Sequence, residues 1–259
     1  MTPHAPFTQR IGALAFRERL TRYAGGWLGP YWAQITPLVW IAFLVILFQL
    51  LNRAPPILTH PAIFVATGVL PYLLLRQMVT SLARSVIAHR HLRNIQPVCH
   101  NDILVGTGFI EALNLVVSVC LIFGLLVSID MAPLPNNPAA VTLAFLQLLF
   151  LSWGLGRLIA IVGLLSDSWA RIFPIVLRPL FWISGIFYTA TELPLALREW
   201  LSWNPLFHIT EAVRDGYFGG YTSPFESSLY PTLCAAVLFL MSTSIETVMH
   251  QRNAERYRL

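Results

Sequence analysis

Long apolar runs broken by short polar, Arg-bearing or Pro-rich connections make up most of this chain. A helix that crosses hydrocarbon needs about 20 mostly apolar residues. The first such run, Tyr31–Leu51, holds no charge. A second extends from Ala62 to Ile87, with Arg76 and Arg84 in its later half. A third, Ile103–Ile129, contains Glu111 and Asn114, and a fourth, Ala139–Leu165, contains Arg157. The fifth, Ile172–Tyr188, is shorter and carries Pro174, Arg178 and Pro179. The last runs from Leu229 to Met249. The pattern predicts an all-α integral membrane protein of about six transmembrane helices in one domain, 1–259. The short fifth run decides between this count and five or seven.

The arginines set the orientation. Arg10, Arg17, Arg19 and Arg22 precede the first run, and Arg84, Arg90 and Arg93 close the second. Arg171 lies between the fourth and fifth, and Arg252, Arg256 and Arg258 follow the sixth. The connection after the first run holds only Arg53, and that from Asp130 to Pro138 holds none. Basic connections stay in the cytoplasm, so both ends of the chain are expected there. Residues 4–29 read as an interfacial amphipathic helix: Phe7, Ile11 and Leu14 share one face, and Phe16, Leu20 and Tyr23 another. Gly25, Gly26 and Gly29-Pro30 end it before the first run. These residues lack the apolar core of a cleavable signal peptide.

Thr189–Ser228 falls on the outer side. It is too polar to span and too apolar to be a linker. Leu193, Leu195, Leu197, Trp200, Leu201 and Trp203 precede Asn204-Pro205; Leu206, Phe207, Ile209 and Val213 follow it. This predicts two short amphipathic helices broken at Asn-Pro, because proline disfavours helix at the residue before it. Two placements fit: a hairpin on the headgroups, or a segment dipping into the membrane where protein or water satisfies its backbone.

Composition narrows the chemistry. Hydrophobic residues make up 56% and charged residues 11%, against roughly 25% charged in soluble domains. The net charge is +5, and all of the Lys+Arg total is Arg. A P-loop needs a lysine for the terminal phosphates, so any ATP chemistry belongs to a partner; the chain itself is expected to be no enzyme and to bind no cofactor. The arginines sit at span ends rather than among aromatics on one soluble face, which argues against nucleic acid. Cys99, Cys120 and Cys234 form no disulfide framework, and His89, His91, Cys99 and His100 have no zinc spacing.

Charges inside spans each cost at least ~2.5 kcal/mol at the bilayer centre. Arg76 and Arg84 lie about 80° apart around one helix and can face a common polar path. Arg178 lies within the fifth run. Arg157 is expected to snorkel to the cytoplasmic surface, and Glu111 to pair with one of the arginines. Most Trp and Tyr residues sit at span ends, as an aromatic belt does; Trp40 and Trp182 lie deeper. Ser152, Gly156 and Ala160 form a small-residue stripe at spacing four, read as packing within the bundle or between subunits.

Several ordered motifs resemble type-2 ABC exporter permeases. Phe16-Arg17-Glu18-Arg19-Leu20-Thr21-Arg22-Tyr23 and Leu28-Gly29-Pro30-Tyr31-Trp32-Ala33 come first. Thr67-Gly68-Val69-Leu70-Pro71-Tyr72, Asn94-Ile95-Gln96-Pro97-Val98, Arg178-Pro179-Leu180-Phe181-Trp182 and Trp203-Asn204-Pro205-Leu206-Phe207-His208 follow. Together they look like the capsular-polysaccharide branch, the KpsM type, from about residue 10 onward. The resemblance implies a homodimer paired with two copies of a separate ABC ATPase that binds ATP and Mg. It implies export of a lipid-linked acidic polysaccharide across the inner membrane to a periplasmic adaptor and an outer-membrane exporter. Aromatic rings and arginines would line the path: Trp40, Tyr72, Arg76, Arg84, Arg178, Trp182 and Tyr188. The ATPase would seat on Arg19, Arg22, His91, Arg93, Asn94, Gln96, Pro97 and Asp102, although Gln96-Pro97-Val98-Cys99 stands where the family commonly carries Arg and Lys around Pro-Val. Trp200, Trp203, Asn204 and Pro205 would belong to re-entrant outer helices. An O-antigen or teichoic-acid exporter is the alternative transporter. An enzyme acting on lipid-linked sugars would need clustered acids, whereas Asp102, Glu111 and Asp167 are scattered.

Overall fold

The computed structural model describes residues 32–88, 100–165, 167–224 and 227–256. The expected interfacial helix at 4–29, and Arg19, Arg22, His91, Arg93, Asn94, Gln96 and Pro97, lie outside the described residues. The described residues form helices and no strand.

Helices α1 (Trp32–Leu50), α2 (Pro61–Ala88), α3 (His100–Ser128) and α4 (Pro138–Leu165) follow the first four apolar runs to within a few residues. The prolines that open α2 and α4 suit a first turn, where no N–H partner is needed. The last helix, numbered α9 below (Leu229–Arg256), covers the sixth run and continues beyond it. Four of these, α2, α3, α4 and α9, are long and apolar enough to cross a membrane. Two shorter apolar helical stretches are Gln34–Leu50 and Ile172–Ile183.

The fifth run differs from the single helix expected at Ile172–Tyr188. It forms α5 (Asp167–Val176) and a one-turn α6 (Leu180–Ile183), interrupted at Leu177–Pro179. Pro179 has no N–H for the preceding turn and disfavours helix at Arg178. After α6 the backbone turns at Gly185, whose φ of 77° is open to glycine. A short 3₁₀ turn (Ala190–Glu192) follows, closed by reciprocal Thr189 and Glu192 bonds. Then come α7 (Leu195–Leu201) and α8 (Pro205–Tyr217).

The two short outer helices therefore break at Asn-Pro as the sequence predicts. Asn204 Oδ1 accepts from the Leu206 N–H at 3.0 Å, and Pro205 occupies the first helical position. The two helices differ in surroundings. The α7 helix buries no residue. The α8 helix buries ten of its residues, packed against α2, α4 and α9.

Helix α2 is the axis of the bundle. It touches α1, α3, α4, α5, α6 and α8, and 89% of its apolar window is buried, against 11% for α9. The small-residue stripe on α4 packs within the bundle. A Cβ on Gly156 would lie 2.6 Å from Leu82 Cδ1 and 3.2 Å from Val79 Cα, so glycine lets α4 close onto α2. On α4's other side, a Cβ on Gly154 would stand 3.1 Å from the Ala235 carbonyl of α9. Arg157 departs from the expected snorkelling. Its Nη2 meets Glu246 Oε2 of α9 at 2.8 Å, an ion pair that keeps both charges within the helix contact. Glu111 accepts from the Gln77 and Asn114 amides at 3.1 and 3.4 Å. Val39, Phe43, Ile46 and Leu50 on α1 and Val237, Leu240 and Met241 on α9 are exposed, a surface that suits hydrocarbon.

Candidate functional site

Three of the sequence-predicted path residues gather around one ring, Phe181 of α6. Its centroid lies 5.2 Å from Tyr72, 5.4 Å from Trp40 and 5.5 Å from Trp182. Phe187 stands 5.6 Å away edge-on, and stacks on Trp182 at 5.4 Å and 24°. Tyr188 joins through its hydroxyl, which donates to the Trp182 carbonyl at 3.0 Å. Three separate elements thus supply one aromatic cluster: Trp40 from α1, Tyr72 from α2, and the rest from α6 and the chain after it. Trp182 remains 65% exposed, so the cluster has an open edge.

Two cations flank it. Arg76, half-buried, stands about one turn along α2 from Tyr72, and Arg178 is exposed at the break between α5 and α6. Arg84 lies eight residues further along α2, about 12 Å down the axis, exposed and apart from the rings. Asp102 is buried in the first turn of α3. Trp200 and Trp203 are 82% and 79% exposed, whereas Asn204 and most of α8 are buried.

Sequence reasoning passed over two parts of this site. Phe181, the hub, read as one apolar residue in an apolar run. Glu211 and Arg214 were not singled out in the sequence, yet both are fully buried on α8. Arg214 Nη1 lies 3.4 Å from Glu211 Oε1 and donates to the Tyr188 carbonyl at 2.7 Å. Its guanidinium carbon sits 4.3 Å over the Phe64 ring. Glu211 Oε2 accepts from the Tyr221 hydroxyl at 2.5 Å and from Ser223 Oγ at 2.8 Å. Burial, with the Glu211 charge adding to it, pushes the Tyr221 phenol well above its ordinary range. The far end of α8 is fixed as well: Tyr217 Oη donates to the Pro133 carbonyl at 2.6 Å, and Asn137 N–H to the Gly216 carbonyl at 2.8 Å. Their spacing held a hint, since Glu211 and Arg214 share a helical face at i,i+3 with the apolar anchors.

An all-helical bundle with several membrane-length helices, an aromatic cluster and flanking arginines is the build of a membrane transport subunit. The chain belongs to the ABC-2 type transporter family, which matches residues 9–218. Among its relatives is the polysialic acid transport protein KpsM of Escherichia coli, 27% identical over 237 residues and 91% of each chain. The capsule polysaccharide export inner-membrane protein CtrC of Neisseria meningitidis serogroup B is 26% identical, over 91% of this chain and 89% of its own. The corresponding protein BexB of Haemophilus influenzae is also 26% identical, over 89% and 87%.

Proposed function

We propose that this chain is the transmembrane permease of an exporter that moves a lipid-linked acidic capsular polysaccharide across the bacterial inner membrane. The observation that carries this reading is the cluster of Trp40, Tyr72, Phe181 and Trp182 beside Arg76 and Arg178. Aromatic faces pack against the C–H faces of sugar rings, and guanidinium groups bind carboxylates through charge-assisted hydrogen bonds. Such a wall suits a repeating anionic glycan, which must slide and not lodge. Its relatives are a polysialic acid transport protein and capsule polysaccharide export proteins, which supports a capsule glycan as substrate.

On this reading the spans are α1, α2, α3, α4, the broken α5–α6 pair and α9, with α7 and α8 as a re-entrant outer segment. The N-terminal segment, the 91–99 connection and the first turn of α3 with Asp102 face the cytoplasm and seat an ABC ATPase, which supplies ATP and Mg chemistry. Two copies of each chain form the working unit, so that ATP-driven closure moves two permease halves against each other. A periplasmic adaptor and an outer-membrane exporter receive the glycan.

The test is co-purification with the ATPase encoded nearby, followed by hydrolysis in lipid with and without glycan, and by surface-capsule staining of cells. A stable complex with glycan-stimulated hydrolysis is expected. The Arg76→Ala variant should assemble normally and lose surface capsule by at least about tenfold, as a lost charge contact in a low-dielectric path predicts. A chain that purifies without an ATPase, or normal capsule with Arg76→Ala, refutes the proposal.

A further inference from the structure

The irregular backbone after α6 carries an unusual set of bonds. The Trp182 carbonyl accepts from Tyr188 Oη, and the Ile183 carbonyl from Asn204 Nδ2 at 2.9 Å. The Ile186 carbonyl accepts from Arg214 Nη2 at 3.3 Å, and the Phe187 carbonyl from Arg53 Nη2 at 3.0 Å. The Tyr188 carbonyl takes Arg214 Nη1. Side chains from α8, from the α1–α2 connection and from the strap itself thus hold five carbonyls. Away from water, non-helical backbone persists only where other protein satisfies it. These bonds also fix position. The strap lies on α2 at Gly68, where a Cβ would meet Arg214 Nη2 at 2.9 Å and Ile186 Cα at 3.0 Å. Gly68 is one turn from Tyr72. Pinning the strap there sets Phe181 against the Tyr72 ring, with Trp182 and Phe187 packed on Phe181 and on each other.

We infer that Asn204 and Arg214 are positioning residues for glycan recognition. Both are buried, and they act by holding strap 183–189 so that Phe181, Trp182 and Phe187 form one wall. This rests on the reading above that the aromatic cluster lines the glycan path. Asn204 allows the two jobs of one side chain to be separated. Its Oδ1 caps α8, and its Nδ2 tethers the strap at Ile183 O and Ser184 Oγ. The Asn204→Asp change keeps the capping oxygen and removes the tethering donor.

The experiment uses the permease–ATPase complex in lipid vesicles, with lipid-linked capsule glycan extracted from the native strain as probe. The first readout needs no glycan: acrylamide quenching of Trp182, taken as the difference between a protein and its Trp182→Phe counterpart. The second is the glycan concentration giving half-maximal stimulation of hydrolysis. Asn204→Asp should alter Trp182 quenching and raise the half-stimulating concentration by about threefold or more, with the maximal rate kept, as loss of ground-state fit predicts. Phe181→Ala should raise it likewise, and the double variant should add little. Unchanged quenching and unchanged half-stimulation in Asn204→Asp would overturn the inference. If quenching changes while Phe181→Ala responds to glycan as the parent does, the strap is a positioning device but the cluster is not the glycan path.

Discussion

Replacing Glu211 by Gln removes one charge from a pair that is fully buried and keeps the side-chain volume. Removing one partner of a buried ion pair costs about 3–5 kcal/mol, because the other charge stays behind in low dielectric. Arg214 would retain the Tyr188 and Ile186 carbonyls and the Phe64 ring face. That places Glu211→Gln at the lower end, about 3 kcal/mol. For a chain of this size each kcal/mol moves the melting temperature by about 2–4 °C, so a drop of about 6–12 °C is expected. Arg214→Met should cost more, since it also strips donors from two carbonyls of the strap. In the double variant no charge is stranded, and its loss should fall short of the sum of the singles by at least about 1 kcal/mol. The assay is thermal unfolding of the purified chain in detergent at neutral pH, followed by intrinsic fluorescence. A drop under 2 °C for Glu211→Gln, or strict additivity in the double variant, would refute the claim that this pair holds the outer segment together.

Gly156→Leu should destabilise by about 1–3 kcal/mol, because the new Cβ meets Leu82 at 2.6 Å and the α2 backbone at 3.2 Å; loss of folded protein on size-exclusion chromatography checks it. The alkaline limb of stability should depend on Tyr221. Its folded value is raised from the ordinary 10.0, so its contribution is complete below pH 10 and is lost as pH rises through the folded value. Tyr221→Phe should flatten that limb in melts taken from pH 9 upward, and an unchanged slope would count against the buried Tyr221–Glu211 bond.

The helices were legible where composition decides. Apolar runs bounded by Pro and Arg located α1 to α4 to within a few residues and α9 at its start, and Asn204-Pro205 marked the outer break. Arg76, Trp40 and Trp182 stood out because charged or large aromatic groups are rare deep inside apolar runs, and Tyr72 entered with the family motif. What escaped were properties of pairs distant in sequence. Arg157 read as a snorkelling charge because its partner Glu246 lies on another helix, 89 residues away. Arg214 drew no notice because its short helix is amphipathic, and periodicity cannot show that the polar face is buried too. The break between α5 and α6 was foreshadowed by Pro179, but a proline in an apolar run also fits a kinked continuous helix.

Helix α2 lies shielded within the bundle while α1, α3 and α9 show broad apolar flanks outward. The bilayer therefore acts on the chain unequally. Its 28 residues make α2 about 42 Å long, well beyond the roughly 30 Å of hydrocarbon. A helix facing lipid would tilt or deform the membrane to absorb that mismatch. Here the surrounding helices absorb it, and changes in membrane thickness or lipid content reach the centre only as shifts of the outer helices. The aromatic wall is built across that division: Tyr72 stands on the insulated axis, Trp40 on a helix that feels the lipid directly. Both rings pack on Phe181, so a change in the membrane would first shift Trp40 against that shared ring.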